Sequence, residues 1–156
     1  MSATIFALST PPGISAVSII RISGPDSFRA VGRLLGLKKP CKPVSSQIRK
    51  VHLRKIFSIE GRLLDEGLVI FFEKGRSFTG EDMAELQLHG SHIVIKTVLE
   101  SLTSLGYARL AKPGEFTKKA LENNRLSLSE VEGLSDLLVA ETEAQQEQAL
   151  NIYTGS

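Results

Sequence analysis

The 156-residue sequence has one cysteine, Cys41, so it can form no internal disulfide and no cysteine-based zinc or iron–sulfur site. No apolar run approaches the roughly 18–20 residues that a membrane span needs. The opening Met1-Ser2-Ala3-Thr4 lacks the basic segment and long apolar stretch of a secretory signal, and the expected compartment is the cytoplasm. Neither G-x-G-x-x-G, H-E-x-x-H nor G-x-S-x-G occurs. Gly75-Arg76-Ser77-Phe78-Thr79-Gly80 has the glycine spacing of a P-loop, but Glu81-Asp82 stands where Lys-Ser/Thr is required. Two carboxylates there repel a phosphate instead of cradling it. His89 and His92 are three apart, but a turn is expected between them and no metal site is expected.

Charge is unevenly spread. No Lys or Arg occurs after Arg125, where six acids fall, whereas residues 1–125 hold all 19 bases against 11 acids. The break suggests two structural units meeting near Arg125. No acid occurs between Lys38 and Lys55 either, a stretch with seven bases. Such a stretch suits a polyanion such as RNA, and equally a solvated hairpin face.

What is present reads as alternating strands and helices. Thr4–Leu8 and Ala16–Ile22 are short β-prone runs around Thr10-Pro11-Pro12-Gly13, two strands joined by a loop. Pro25 suits a first helical turn; Phe28, Val31, Leu34 and Leu35 follow at helical spacing until Gly36. Gln47–Phe57 and Leu63–Phe72 form a predicted hairpin around Glu60-Gly61. The unbroken run Leu68–Phe72 predicts a strand buried on both faces. Ala84–His89 alternates, with Leu86 and Leu88 on one face and Glu85, Gln87 and His89 on the other. Ile93 to Leu105 carries a helical stripe, a short strand falls at 107–110, and Pro113-Gly114 opens a helix that Asn123-Asn124 ends. A last helix is expected from Ser129 to about Leu150 with Leu128, Val131, Leu134 and Leu138 on one face. The expected fold is α+β with a mixed β-sheet and flanking helices.

Three clusters carry chemistry. Arg21 sits inside an apolar strand and needs an acid, a carbonyl or a ligand anion. The segment 77–90 sets a polar strand face between a glycine turn and a helix start. The third runs from Lys112-Pro113-Gly114-Glu115-Phe116 to Asn123-Asn124-Arg125-Leu126; helix-boundary chemistry explains its Pro, Gly and Asn but not Arg125.

With Thr4-Ile5-Phe6-Ala7, Thr10-Pro11-Pro12-Gly13, Ile20-Arg21-Ile22-Ser23-Gly24, Ser77-Phe78-Thr79-Gly80-Glu81-Asp82, Glu85-Leu86-Gln87, His89-Gly90, Pro113-Gly114-Glu115-Phe116 and Asn123-Asn124-Arg125-Leu126, the chain resembles the N-terminal part of the MnmE/TrmE family of tRNA modification GTPases. The resemblance implies an N-terminal α+β domain similar to tetrahydrofolate-binding domains, here residues 1–120, which also makes a homodimer. Residues 121–156 would open a helical domain that continues past Ser156 and holds an inserted G domain. The implied activity, shared with the FAD-dependent partner MnmG (GidA), adds a carboxymethylaminomethyl-type group to C5 of the wobble uridine of tRNA. The one-carbon unit would come from 5-formyl- or 5,10-methylene-tetrahydrofolate, and GTP, Mg2+ and K+ would serve the absent G domain. The family's folate-contacting positions fall on Arg21, Glu85 and Arg125. A pterin offers a ring N–H and an amino group to one carboxylate, and arginines suit its carbonyls and glutamate tail. No catalytic residue is assigned to this chain, and the terminal stripe is expected to pack on the folate domain or a second copy.

The chain departs from the family pattern at Ile14-Ser15-Ala16, Ser91, Arg125 and Ser127. Two other readings stand beside the resemblance. A free-standing one-carbon transferase would need a general base, with Glu85, His89 and Glu115 as candidates. An RNA-binding module would use the basic stretch 38–55.

Overall fold

The computed structural model describes residues 2–9, 17–39, 42–89 and 91–127. Six strands and three helices follow in the order β1 (Thr4–Leu8), β2 (Val17–Ser23), α1 (Ser27–Leu34), β3 (Val51–Phe57), β4 (Leu63–Phe72), β5 (Met83–His89), α2 (His92–Ser104), β6 (Ala108–Leu110) and α3 (Glu115–Glu122). The strands make one sheet in the order β3-β4-β5-β2-β1-β6. Only β1 and β6 run parallel; the other neighbours are antiparallel. The fold is the expected α+β arrangement with a mixed sheet.

One face of the sheet is the core. Phe6, Ile20, Ile22, Val69, Phe71, Ala84, Leu86 and Leu88 project there against Ala30, Val31 and Leu34 of α1 and Val98, Leu99 and Leu102 of α2. The period-two alternation of β5 thus meets the helical stripes of α1 and α2. Helix α1 ends in a Schellman motif: Gly36 has φ 77°, its N–H donates to the Arg33 carbonyl, and Leu37 N–H donates to Gly32 O at 2.9 Å. Glycine takes that left-handed turn at no steric cost. Ile93, placed in the stripe of α2, is instead 63% exposed, in the first turn of the helix.

The other face is covered only in part. Helix α3 packs Phe116 on Ile5 and Ala7 beside Ala111. From beneath α3 to the β3 edge, cross-strand register sets Ala7, Arg21, Glu85, Ile70 and Val51 in one row, and Ile19, Gln87, Leu68 and Leu53 in the next. Cross-strand partners share a face. Val51 and Leu53 are each 58% exposed. This corrects the reading of Leu68–Phe72 as doubly buried: β4 has strands on both sides, but only Val69 and Phe71 are buried. The predicted start of β3 at Gln47 is also moved, since residues 45–49 are turns. The helix expected from Ser129, with Leu128, Val131, Leu134 and Leu138, lies outside the described residues.

Candidate functional site

Arg21 and Glu85 are direct partners in the β2–β5 register. A one-residue slip of either strand would turn its side chain to the opposite face and part the pair. An Arg21 Nη2 sits 3.4 Å from Glu85 Oε1, longer than the roughly 2.7–2.9 Å of a good charge-assisted hydrogen bond. Arg21 Nε is buried and has no hydrogen-bond partner among the described residues. A buried unpaired donor costs about 1–3 kcal/mol, so this N–H marks a place where an acceptor belongs. The guanidinium lies between two rings, with Cζ 5.4 Å from the centre of Phe78 and 5.9 Å from that of Phe116. Both distances are within cation–π range.

Phe78 rides on a tight loop, residues 73–82. Gly75 N–H donates to Gly80 O at 2.9 Å, and the Ser77 hydroxyl donates to the Glu81 carbonyl. Lys74 N–H donates to Asp82 Oδ1 at 2.8 Å. The N–H groups of Lys74, Gly75, Arg76 and Gly80 are thus spent inside the loop. Gly80 has φ 83°, and a Cβ there would lie 2.7 Å from Asn123 Cβ. That close approach lets Asn123 Nδ2 donate to Thr79 O at 2.8 Å.

Arg125 meets the same loop. Helix α3 ends, like α1, in a Schellman motif: Asn124 takes φ 56°, its N–H donates to Leu121 O, and Arg125 N–H donates to Ala120 O at 2.7 Å. Asn tolerates the left-handed position better than most residues. The turn directs Arg125 back so that its Nε donates to Ser77 O at 2.9 Å. Arg21 and Glu85 are therefore side by side, and Arg125 joins them through the loop that carries Phe78.

A buried polar network holds loop, helix and N-terminal segment together. Lys119 Nζ donates to Glu81 Oε1 at 2.7 Å, to Ala3 O at 2.6 Å and to Ser2 Oγ at 2.9 Å. Ser23 Oγ donates to Glu81 Oε1 at 3.0 Å and is 2.7 Å from Thr79 Oγ1. Sequence reasoning missed Phe78, Phe116 and Lys119 as members of this neighbourhood. An aromatic residue inside a glycine turn was the one available signal, for Phe78.

The other candidate bases are otherwise engaged. Glu115 accepts two bonds from the Arg109 guanidinium, at 2.8 and 2.6 Å, and one from Lys112 N–H at 2.8 Å. Burial alone would push its carboxyl up, but the Arg109 and Lys112 bonds outweigh it and the net shift is down. His89, exposed, bonds Asp65 through its ring Nδ1 at 2.7 Å and its N–H at 2.9 Å. Burial raises the Asp65 carboxyl, and these bonds more than reverse it, so its net shift is also down. His92 opens α2. Among the described residues no three His, Cys, Asp or Glu side chains are grouped to hold a metal ion.

Comparison with known proteins places this geometry in context. Residues 4–125 match the family described as GTP-binding protein TrmE N-terminus. A tRNA modification GTPase MnmE of Dinoroseobacter shibae is 49% identical over 152 residues, 97% of this chain and 34% of that protein. The proteins of the same name from Anaplasma phagocytophilum and Cereibacter sphaeroides are 48% and 44% identical, covering 97% and 98% of this chain and 32% and 34% of their own. The chain spans about a third of the length of the curated relatives it matches.

Proposed function

Because the chain belongs to the family of the GTP-binding protein TrmE N-terminus, we propose that it is the folate-binding and dimerisation module of a tRNA-modifying GTPase. The observation that carries the reading is the Arg21–Glu85 pair: loosely joined, partly exposed, flanked by Phe78 and Phe116, with a buried N–H that lacks an acceptor among the described residues. Those groups fit a reduced pteridine. The Glu85 carboxylate would take the ring N–H and amino group, Arg21 a ring carbonyl, and the aromatic rings the apolar edge. Arg125, at the end of the Ser77–Gly80 loop, would meet the carbonyls or carboxylates of the folate tail.

Bound 5-formyl- or 5,10-methylene-tetrahydrofolate supplies the one-carbon unit. The whole protein would use it, with an FAD-dependent MnmG partner and with GTP, Mg2+ and K+ at its G domain, to place a carboxymethylaminomethyl-type group on the wobble uridine of tRNA in the cytoplasm. The domain would span residues 1–120, and residues 121–156 would open the helical domain. The homodimer reading draws support from the apolar sheet face formed by Val51, Leu53, Leu68 and Ile70 at the β3 edge. Exposed contiguous apolar surface of this kind marks an interface. Among the described residues no helix is long and apolar enough to cross a membrane. The free-standing transferase reading is weakened by the engagement of Glu115 and His89, which leaves Glu85 as its one candidate base on the face of Arg21.

Calorimetric titration of 5-formyl-tetrahydrofolate into the chain tests the proposal. Glu85→Gln replaces an ionic acceptor with a neutral amide and should weaken binding about ten- to hundredfold, the range of a charge-assisted pair. Unchanged affinity would remove Glu85 from the site.

A further inference from the structure

A second feature lies on the helix-covered side of the sheet, at the β3 edge. A cleft of about 650 Å3 opens between the end of α1 and strand β3. Leu35 and the buried Phe71 give it apolar lining, and Lys38, Lys39, Lys42 and Arg54 give it four positive charges. None of the described residues that line it is acidic. Among the described residues none of the four cations has a carboxylate partner; Arg54 Nη1 donates only to the Leu53 carbonyl, at 2.9 Å. The cleft gathers four such cations in one concavity, whereas Arg29, Arg76, Lys96, Arg109, Lys118 and Lys119 are each paired with an acid.

Unpaired like charges along a concave low-dielectric wall focus positive potential and attract a polyanion. A lone small anion would leave most of four cations unsatisfied, whereas a phosphodiester chain presents one charge per nucleotide. Apolar surface beside the cations suits a ribose or base face. The proteins that this chain resembles are named for tRNA modification. We propose that this cleft binds a stretch of tRNA backbone, phosphates against Lys38, Lys39, Lys42 and Arg54 and a nucleoside against Leu35 and the exposed Leu37. The inference rests on tRNA being the substrate of the whole protein. It is independent of the folate site, because Arg54 and Phe71 occupy the sheet face opposite to Arg21 and Glu85.

Fluorescence anisotropy of a labelled, unmodified tRNA transcript with the 156-residue chain tests it, with 5-formyl-tetrahydrofolate binding measured on the same samples. Each phosphate contact contributes a slope of about −0.7 to −0.9 in log affinity against log salt. Lys39→Gln with Lys42→Gln should therefore reduce the slope by roughly 1.5 and weaken binding about 30-fold at 0.1 M salt. Arg62→Gln with Lys118→Gln, an equal loss of charge elsewhere, should change affinity less than twofold, and folate binding should be unaltered in both. If the two pairs differ by less than fivefold, if the unsubstituted chain does not bind the transcript, or if inorganic phosphate at equal ionic strength displaces it, the cleft is not an RNA site. Loss of folate binding alone would strike the folate reading and leave this one intact. Nucleoside analysis of tRNA from cells lacking the whole protein reads the tRNA assignment separately.

Discussion

Replacing Lys119 by Met should destabilise this domain more than a change at most helical lysines. Lys118, its neighbour, is exposed and only 4.0 Å from Glu122, so its loss should cost at most about 0.5 kcal/mol. The Lys119 side chain is 8% exposed and the Glu81 side chain 13%. Its removal leaves the Glu81 carboxylate buried without its cation and takes a donor from the Ala3 carbonyl. Breaking a buried pair from one side costs about 3–5 kcal/mol. At roughly 2–4 °C per kcal/mol for a chain of this size, the melting temperature should fall by about 10 °C. Urea unfolding followed by circular dichroism measures the loss. Adding Glu81→Gln to Lys119→Met removes the stranded charge and should restore about half of it, because coupled neighbours are non-additive. A single-variant loss below about 1 kcal/mol, or a double variant no better than the single, would refute the argument that this pair pins loop 73–82 to α3 and to the N-terminal segment.

Gly80→Ala forces a Cβ to 2.7 Å from Asn123 at φ 83°; it should cost about 1–3 kcal/mol in urea unfolding and lower folate affinity by displacing Phe78. Phe116→Ala empties the contact with Ile5 and Ala7 and should cost about 3–5 kcal/mol by the same assay. Phe78→Ala, at a 37% exposed ring, should leave stability within about 1 kcal/mol while weakening folate binding severalfold; equal folate affinity would exclude the ring from the site. Asp65 and Glu115 both have folded-state pKa values below their ordinary ones. Their contribution is therefore complete above the unfolded pKa and lost as pH falls through the folded one. The urea midpoint of the unsubstituted chain should fall more steeply from about pH 5 to pH 3 than that of Asp65→Asn with Glu115→Gln; parallel curves would contradict the assigned bonds.

Features set by local periodicity were legible in the sequence. The alternation of β5 placed Glu85 on the face opposite to Leu86 before any fold was known, and the breakers at Gly36 and Asn124 ended α1 and α3. Arg21, an ion inside an apolar strand, advertised its need for a partner, and register supplied Glu85. What lay beyond reach depended on distant segments meeting. Phe78 and Phe116 flank Arg21 only because loop 73–82 and α3 converge over one end of the sheet. Lys118 and Lys119 are alike in sequence, and only the burial of the α3 face that carries Phe116 and Ala120 sets them apart. The apolar run Leu68–Phe72 misled because continuous hydrophobicity signals cover on both faces without saying what provides it. Beyond α3, the described residues leave the Ile70 side to solvent.

The central claim is that Arg21 and Glu85 together hold a reduced pteridine. A crystal structure of the chain grown with 5-formyl-tetrahydrofolate tests it directly. The account predicts the pteridine ring N–H and amino group at hydrogen-bond distance, about 3 Å, from the Glu85 carboxylate, with Arg21 Nε donating to a ligand oxygen. A folate bound elsewhere, with Arg21 and Glu85 still facing each other as they do now, would contradict it.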